Sequence, residues 1–228
     1  MWLLIIQTSS SALTLDETNN QQWFQYNNQI KLNNKFSILS DVGIRYKDNF
    51  NSKNQFIIRS AFKYSVNNIA WVIGVGNFNY YHSEQINKIE FRPFQELSIK
   101  HVVSNIELQQ RIRTEQQIFN TNEMNFYEYL NRIRYRLMNT IPIKKFNQSE
   151  NKIELIVGNE IFFVGKNNLS LIQNRILIGT SFTSNKFLSV LFLYNLQSIY
   201  KIKSENSKID HIFWLSFIHY LDFTTSKK

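Results

Sequence analysis

Apolar and polar residues alternate along most of this chain. In the segment 106–117, which reads IELQQRIRTEQQ, Ile106 and Leu108 fall on even positions, whereas Glu107 and Arg111 fall on odd positions. The four-residue spacing of Glu107 and Arg111 would suit an ion pair on a helix. However, a helix would spread the charges of this segment around its circumference, whereas a strand would have one charged and one largely apolar face. The neighbouring segments favour the strand.

The same alternation predicts a succession of strands with no domain break between them. Most of the segments hold 10 to 14 residues, which is longer than usual in soluble sheets and close to the 9–11 residues with which a tilted strand crosses a bilayer. The predicted strands are 23–32, 36–46, 55–65, 69–81, 89–101, 106–117, 125–141, 153–163, 169–182, 187–197 and 210–223.

The connections between these segments alternate in length. Tight turns are predicted at 33–34, 67–68, 103–104 and 184–185. Mostly longer, polar loops are predicted at 48–54, 82–88, 120–123, 165–168 and 198–208. Short turns at one end and longer loops at the other are typical of an outer-membrane barrel.

The two faces of each segment carry different residues. In 55–65, Phe56 and Ile58 lie opposite Arg59 and Lys63. A soluble β-protein would turn the apolar face inward, whereas a membrane barrel turns it toward lipid and keeps polar side chains in the lumen. Periodicity cannot separate these two cases, but strand length, aromatic content and alternating loops favour the membrane barrel.

We therefore predict an all-β fold, a single antiparallel transmembrane β-barrel with short periplasmic turns and longer extracellular loops. The segments number about eleven, yet single-chain bacterial barrels have an even number of strands. The prediction is about 12 strands, with the missing one drawn from 3–15 or from a split of 125–143. Ten strands, by merging two segments, is the alternative.

The N-terminus begins MWLLIIQTSSSALTLDE. A short apolar run followed by Ser10-Ser11-Ala12 is typical of a signal peptide, although no Lys or Arg precedes the run. We predict a signal peptide at 1–15, truncated at its start, and a barrel domain at 16–228. The alternative interpretation of the apolar run is a first buried strand.

Composition narrows the function classes. The chain of 228 residues is 43% hydrophobic and 15% aromatic, and it has no Cys, which excludes disulfides and thiolate metal sites. The net charge of +9 permits nucleic-acid binding. The Lys residues are scattered singly, however, so we expect no nucleic-acid partner. No sequence motif indicates a cofactor or a metal.

Charged residues of the middle strands share one face. We predict a network of Arg and Glu side chains that fills the lumen, because residues on adjacent strands about 4.8 Å apart can pair. The predicted network is Arg92, Glu96, Glu107, Arg111, Arg113, Glu115, Glu128, Arg132, Arg134, Arg136, Glu154, Glu160 and Arg175. If Glu90 and Lys100 are added, this face of the strands carries eight basic and seven acidic residues. The near balance of charge indicates a filled lumen rather than an ion-selective pore.

Candidates for catalysis are few. Ser216, His211 and His219 are near one another in the last segment, but Ser216 has the opposite parity to both histidines. The chain has no GxSxG motif, no HExxH motif and no acidic metal cluster. A lipid-modifying barrel that uses a Ser–His pair is kept as an alternative.

Five stretches resemble one known family. They are FRPFQE (91–96), RIRTEQQIF (111–119), NRIRYRL (131–137), QNRILIGTSFTSNK (173–186) and IFWLSFIHYLDF (212–223). The chain resembles, over about 23–223, the domain-of-unknown-function family numbered 2490, exported proteins of Bacteroidetes-type bacteria that are regarded as outer-membrane β-barrels. Members often have Trp where Phe94 stands and Gln where Glu96 stands. The resemblance implies fold and location but no activity.

The resulting functional hypothesis is a passive outer-membrane barrel, either a narrow or plugged pore or a structural or assembly component. The alternatives are an enzyme acting on envelope lipids and a soluble lipocalin-like carrier. We expect a monomer whose partners are outer-membrane lipid and the barrel-insertion machinery.

Overall fold

The alternating segments form β-strands throughout the described chain. The computed structural model describes residues 15–121, 126–146, 151–200 and 207–224. The strands are β1 (Leu15–Lys31), β2 (Phe36–Lys47), β3 (Ser52–Val66), β4 (Ile69–His82), β5 (Gln85–Val103), β6 (Ile106–Thr121), β7 (Phe126–Lys145), β8 (Lys152–Gly165), β9 (Ser170–Asn185), β10 (Leu188–Tyr200) and β11 (Ser207–Asp222). Within these residues, no helix is long and apolar enough to cross a membrane.

The strands close into one barrel in which each strand pairs with its neighbours in the chain and β1 pairs with β11. The all-β barrel is confirmed. The prediction of a fully antiparallel barrel was wrong, since β1 and β11 run parallel, with Trp23 beside Trp214 in the register. Eleven strands joined by hairpins leave the first and last pointing the same way, so they can close the barrel only as a parallel pair.

The described residues form eleven strands, which differs from the prediction of about 12 and from the alternative of ten. A split of 125–143 is excluded because β7 runs unbroken over 20 residues. The other source of a further strand, 3–15, and the predicted signal peptide lie outside the described residues, apart from Leu15, which begins β1. Across the described chain, β1 bonds directly to both β2 and β11.

The tight turns are built by asparagine. Asn33 accepts hydrogen bonds at its side-chain oxygen from the backbone N–H groups of Lys35 and Phe36, both at 2.9 Å. Asn67 adopts a left-handed φ of 53°, which asparagine tolerates better than most residues. In the described chain the length asymmetry is weaker than predicted, because the connection 83–84 on the opposite rim also has only two residues.

Apolar side chains fill one part of the lumen. Ile156, Leu177 and Leu193 are almost fully buried there and pack with the partly buried Met138 and Trp214. This lumenal apolar cluster lies beside the charged residues described next, so apolar and charged side chains share the interior of the barrel.

Candidate functional site: the charged lumen

Strand parity separates the two faces of the barrel wall. In β6, Arg111 and Glu115 are buried inside the barrel, whereas Ile112 is 49% exposed on the outside. The segment 106–117 is therefore a strand, as predicted, and its i, i+4 charge spacing follows from the two-residue alternation. The same alternation in the neighbouring strands gathers their charged side chains in the lumen.

We define the charged belt as the buried or half-buried lumenal charges in the middle of the barrel. Its members are Arg45, Arg59, Arg92, Arg111, Arg113, Arg132, Arg134, Arg136 and Arg175 with Asp41, Glu90, Glu96, Glu115 and Glu160. Ten of the thirteen residues in the predicted network belong to this belt.

Glu115 is one of two carboxylates on which the belt is centred. Its side chain is 1% exposed and forms an ion pair with Arg132 and a second with Arg134 at 2.9 Å. Arg113 and Arg92 approach the same carboxylate at 3.8 and 3.9 Å. Four guanidinium groups thus surround one negative charge, which compensates the desolvation of that charge.

Glu160 is the second centre. It pairs with Arg111, with Arg134 at 2.8 Å and with Arg175 at 3.4 Å. Arg134 consequently bridges Glu115 and Glu160. Strands β6, β7, β8 and β9 are thereby connected by side chains as well as by their backbone ladders.

Two further carboxylates extend the belt through β5. Glu96 pairs with Arg113 and, at 3.4 Å, with Arg111. Glu90 is fully buried, pairs with Arg92 and accepts a hydrogen bond from Gln117 at 3.1 Å. Its inward parity was evident from the sequence, although it was not part of the predicted network.

Three predicted network residues lie apart from the belt. Glu107 pairs with Lys100 at 2.7 Å where both side chains are more than one-third exposed, and Glu154 pairs with Lys152 of its own strand. Glu128 makes no ion pair with any described residue. These three glutamates have the inward parity but stand nearer the rims.

Sequence reasoning missed the part of the belt on β2. Asp41 pairs with Arg59 at 2.9 Å, and Arg45 donates to the side-chain oxygen of Gln55 at 2.7 Å. The available signal was the every-second-residue spacing of Asp41 and Arg45, which matches that of Arg59 and Lys63 on β3.

The belt lines a lumenal cavity of about 650 Å³. All nine belt arginines line this cavity, against four carboxylates, Asp41, Glu96, Glu160 and Asp210. The near balance of charge inferred from the sequence does not hold at the surface of this cavity. Three predicted glutamates, Glu107, Glu128 and Glu154, do not line it, whereas two arginines outside the predicted network, Arg45 and Arg59, line it. The cavity wall is strongly positive.

The candidate catalytic residues are separated by the barrel wall. Ser216 is buried and its hydroxyl oxygen accepts a hydrogen bond from Asn27. His219 bonds to the hydroxyl of Tyr26 at 2.9 Å, and His211 bonds to that of Tyr194 at 2.6 Å, both with outward parity. The structure therefore does not bring a Ser–His pair together. No cluster of His, Asp or Glu suited to a metal occurs among the described residues.

Comparison with known proteins gives one match. The model of a family described as a protein of unknown function, DUF2490, matches residues 20–208. No curated protein and no solved structure matches the chain.

Proposed function

Since this chain belongs to the family of unknown function DUF2490, we propose its function from the barrel itself: a passive outer-membrane barrel whose lumen is closed to large solutes by the charged belt. The observation that carries this proposal is the inverted distribution of polarity. Ile58, Ile73 and Ile176 are each more than half exposed on the outer wall, while Glu90, Glu115 and Glu160 are buried inside. A soluble carrier would have the reverse arrangement, with charges in water and an apolar cavity.

Aromatic residues at both rims of the wall support a membrane position. At the rim of the Asn-rich turns, Tyr64 lies between Phe36 and Trp71, with ring centroids 5.0 and 6.0 Å apart. At the opposite rim, Phe50 contacts Phe24 and Tyr46, with centroids 5.9 and 6.0 Å apart. Aromatic girdles of this kind flank the lipid-facing band of outer-membrane barrels.

The packing of side chains in the lumen supports the passive role. The belt ties neighbouring strands together, and the lumenal apolar cluster occupies the space beside it. A Ser–His enzyme is not favoured, because Ser216 and His219 face opposite sides of the wall. We include in the proposal that the barrel acts as a monomer and reaches the outer membrane through the barrel-insertion machinery.

Fractionation of cells that express the full chain tests this proposal. We expect the protein in the outer-membrane fraction, resistant to extraction at high salt and alkaline pH and released only by detergent. Recovery in the soluble fraction without detergent would refute the membrane role and favour the soluble-carrier alternative.

A further inference from the structure

The cavity contains a place where positive charge is poorly compensated. The guanidinium carbon of Arg45 lies 3.7 Å from the ring centroid of Trp23, and that of Arg175 lies 5.1 Å from the same centroid. Two cations thus contact one indole ring, which offers each a favourable but modest interaction.

Arg175 has a carboxylate partner, whereas Arg45 has none in the part of the chain that the structure describes. Arg175 pairs with Glu160 at 3.4 Å and donates to Gln197 at 2.6 Å. Among the described residues, the polar contact of Arg45 is with Gln55, a neutral side chain. Arg175 lies against the same indole ring as Arg45, and Arg59 and Arg92 line the same cavity, so their charges repel that of Arg45. Holding these cations together is unfavourable without an anion between them.

The cavity also provides room and neutral hydrogen-bonding groups near the two arginines. Gln21, Gln55, Gln173 and Gln197 line it beside Arg45 and Arg175, and its volume of about 650 Å³ exceeds what inorganic phosphate needs. Gln21 and Gln197 also donate to Asp210 at 2.9 and 3.1 Å, so one carboxylate lies near the two guanidinium groups and leaves them in excess. Guanidinium groups bind phosphate oxygens through two parallel hydrogen bonds, and such bonds are stronger inside a protein than in water.

We propose that the lumen binds a small, soluble, phosphate-bearing solute between Arg45 and Arg175. The anion supplies the negative charge that the wall lacks, and the remaining volume holds an attached organic group. The site goes beyond the passive role proposed above and does not depend on it, because the cavity is formed by the barrel whether lipid or detergent surrounds the outer wall.

The test uses the full chain purified in detergent and titrated with pyrophosphate in a calorimeter. We expect saturable binding of one ion per barrel. Arg45→Gln should weaken it about tenfold or more, because a charged hydrogen bond to the anion is lost. Arg45→Lys should weaken it less. Lys186→Gln, at the β9–β10 turn, is the matched control and should bind as the wild type does.

A stability measurement separates loss of the site from loss of the fold. Without phosphate, Arg45→Gln should unfold at the same or a higher urea concentration than the wild type, because a repelled charge has been removed. Pyrophosphate should stabilise the wild type and not this variant. Absence of saturable binding to the wild type, or equal binding by Arg45→Gln, would overturn the proposal. Binding of dihexanoyl phosphatidylglycerol but not of pyrophosphate would overturn it too, by assigning the site to a lipid headgroup.

Discussion

Arg134 directs two guanidinium nitrogens at one oxygen of Glu160, Nη2 at 2.8 Å and Nε at 3.1 Å. In the β7–β8 register, however, Glu160 stands opposite Arg136 and not opposite Arg134. The pair is therefore diagonal, and long side chains can make such contacts across a sheet. The belt is organised by the reach of its side chains around the closed lumen as well as by direct cross-strand pairing.

Removing the Glu160 carboxylate should strongly destabilise the barrel. Glu160→Gln leaves Arg111, Arg134 and Arg175 without one of their buried partners, and breaking such a cluster costs about 3–5 kcal/mol. Urea unfolding of the detergent-folded protein measures the change. Glu107→Gln removes a carboxylate whose pair with Lys100 is exposed, and should cost about 0.2–1 kcal/mol. Equal effects of the two substitutions would show that the belt does not act as a buried network.

Arg132 allows a second test of the same network. Arg132→Ala removes a direct partner of Glu115, whose carboxylate is buried. It should lower stability or open a leak, whereas Lys186→Ala at the exposed β9–β10 turn should do neither. Unfolding midpoints and bilayer leakage of both variants provide the comparison, and indistinguishable variants would contradict the prediction.

In planar bilayers the unmodified protein should show little or no steady conductance. An eleven-stranded barrel has a wider interior than an eight-stranded one, which side chains already fill. Here the long Arg and Glu side chains of the charged belt and the lumenal apolar cluster occupy part of that extra space. Single-channel recording in concentrated potassium chloride measures this directly. Large, stable currents from the wild type would mean that the arginines line an open channel.

A Cβ at Gly179 should weaken the barrel. It would collide with the carbonyl oxygen of Phe192 and lie 2.8 Å from the Cα of Leu193, beside the lumenal apolar cluster. Gly179→Ala should therefore destabilise by about 1–3 kcal/mol, as overpacking typically does. Gly43→Ala, whose Cβ would be 3.1 Å from the Phe24 carbonyl oxygen, should have a smaller effect. Urea unfolding of both variants measures this effect, and Gly179→Ala should have the lower midpoint.

Trypsin added to intact cells should distinguish the two rims. Lys166 lies in the β8–β9 connection, on the rim that we place outside the cell, and Lys186 lies in the β9–β10 turn on the opposite rim. We expect cleavage at Lys166 and protection at Lys186 until the membrane is opened. The reverse pattern would invert the proposed orientation.

Parity along each strand was enough to separate its two faces, because in a strand the side chains alternate by geometry alone. Which face turns inward was predicted from strand length, aromatic content and loop lengths. The membership of the belt was harder to predict. Glu107 and Glu115 share parity on β6, yet Glu107 is exposed near a rim and Glu115 is buried. Parity does not specify how far along the barrel axis a side chain lies, because this depends on its position in the strand and on the tilt of the strand. Arg45, which stands opposite Trp23 in the β1–β2 register, was missed because only the charges of the middle strands were assigned to the network.

The strand number was predicted incorrectly for a different reason. The alternation pattern itself indicated eleven segments, and the expectation of an even number led to the prediction of a twelfth. An even count is a property of most bacterial barrels and not a requirement of closure, since mitochondrial barrels with 19 strands exist. The parallel β1–β11 pair supplies the closure that an odd number needs.

That parallel pair also determines where the chain could be rejoined. Many domains have their two ends close together and therefore tolerate circular permutation. Here the start of β1 and the end of β11 lie on opposite rims. For a tilted strand of 16 residues such as β11, the rims are separated by about 40 Å. A linker between the two ends would have to pass through the packed lumen or along the outer wall, so we expect permuted forms of this chain not to fold unless one strand is removed or added.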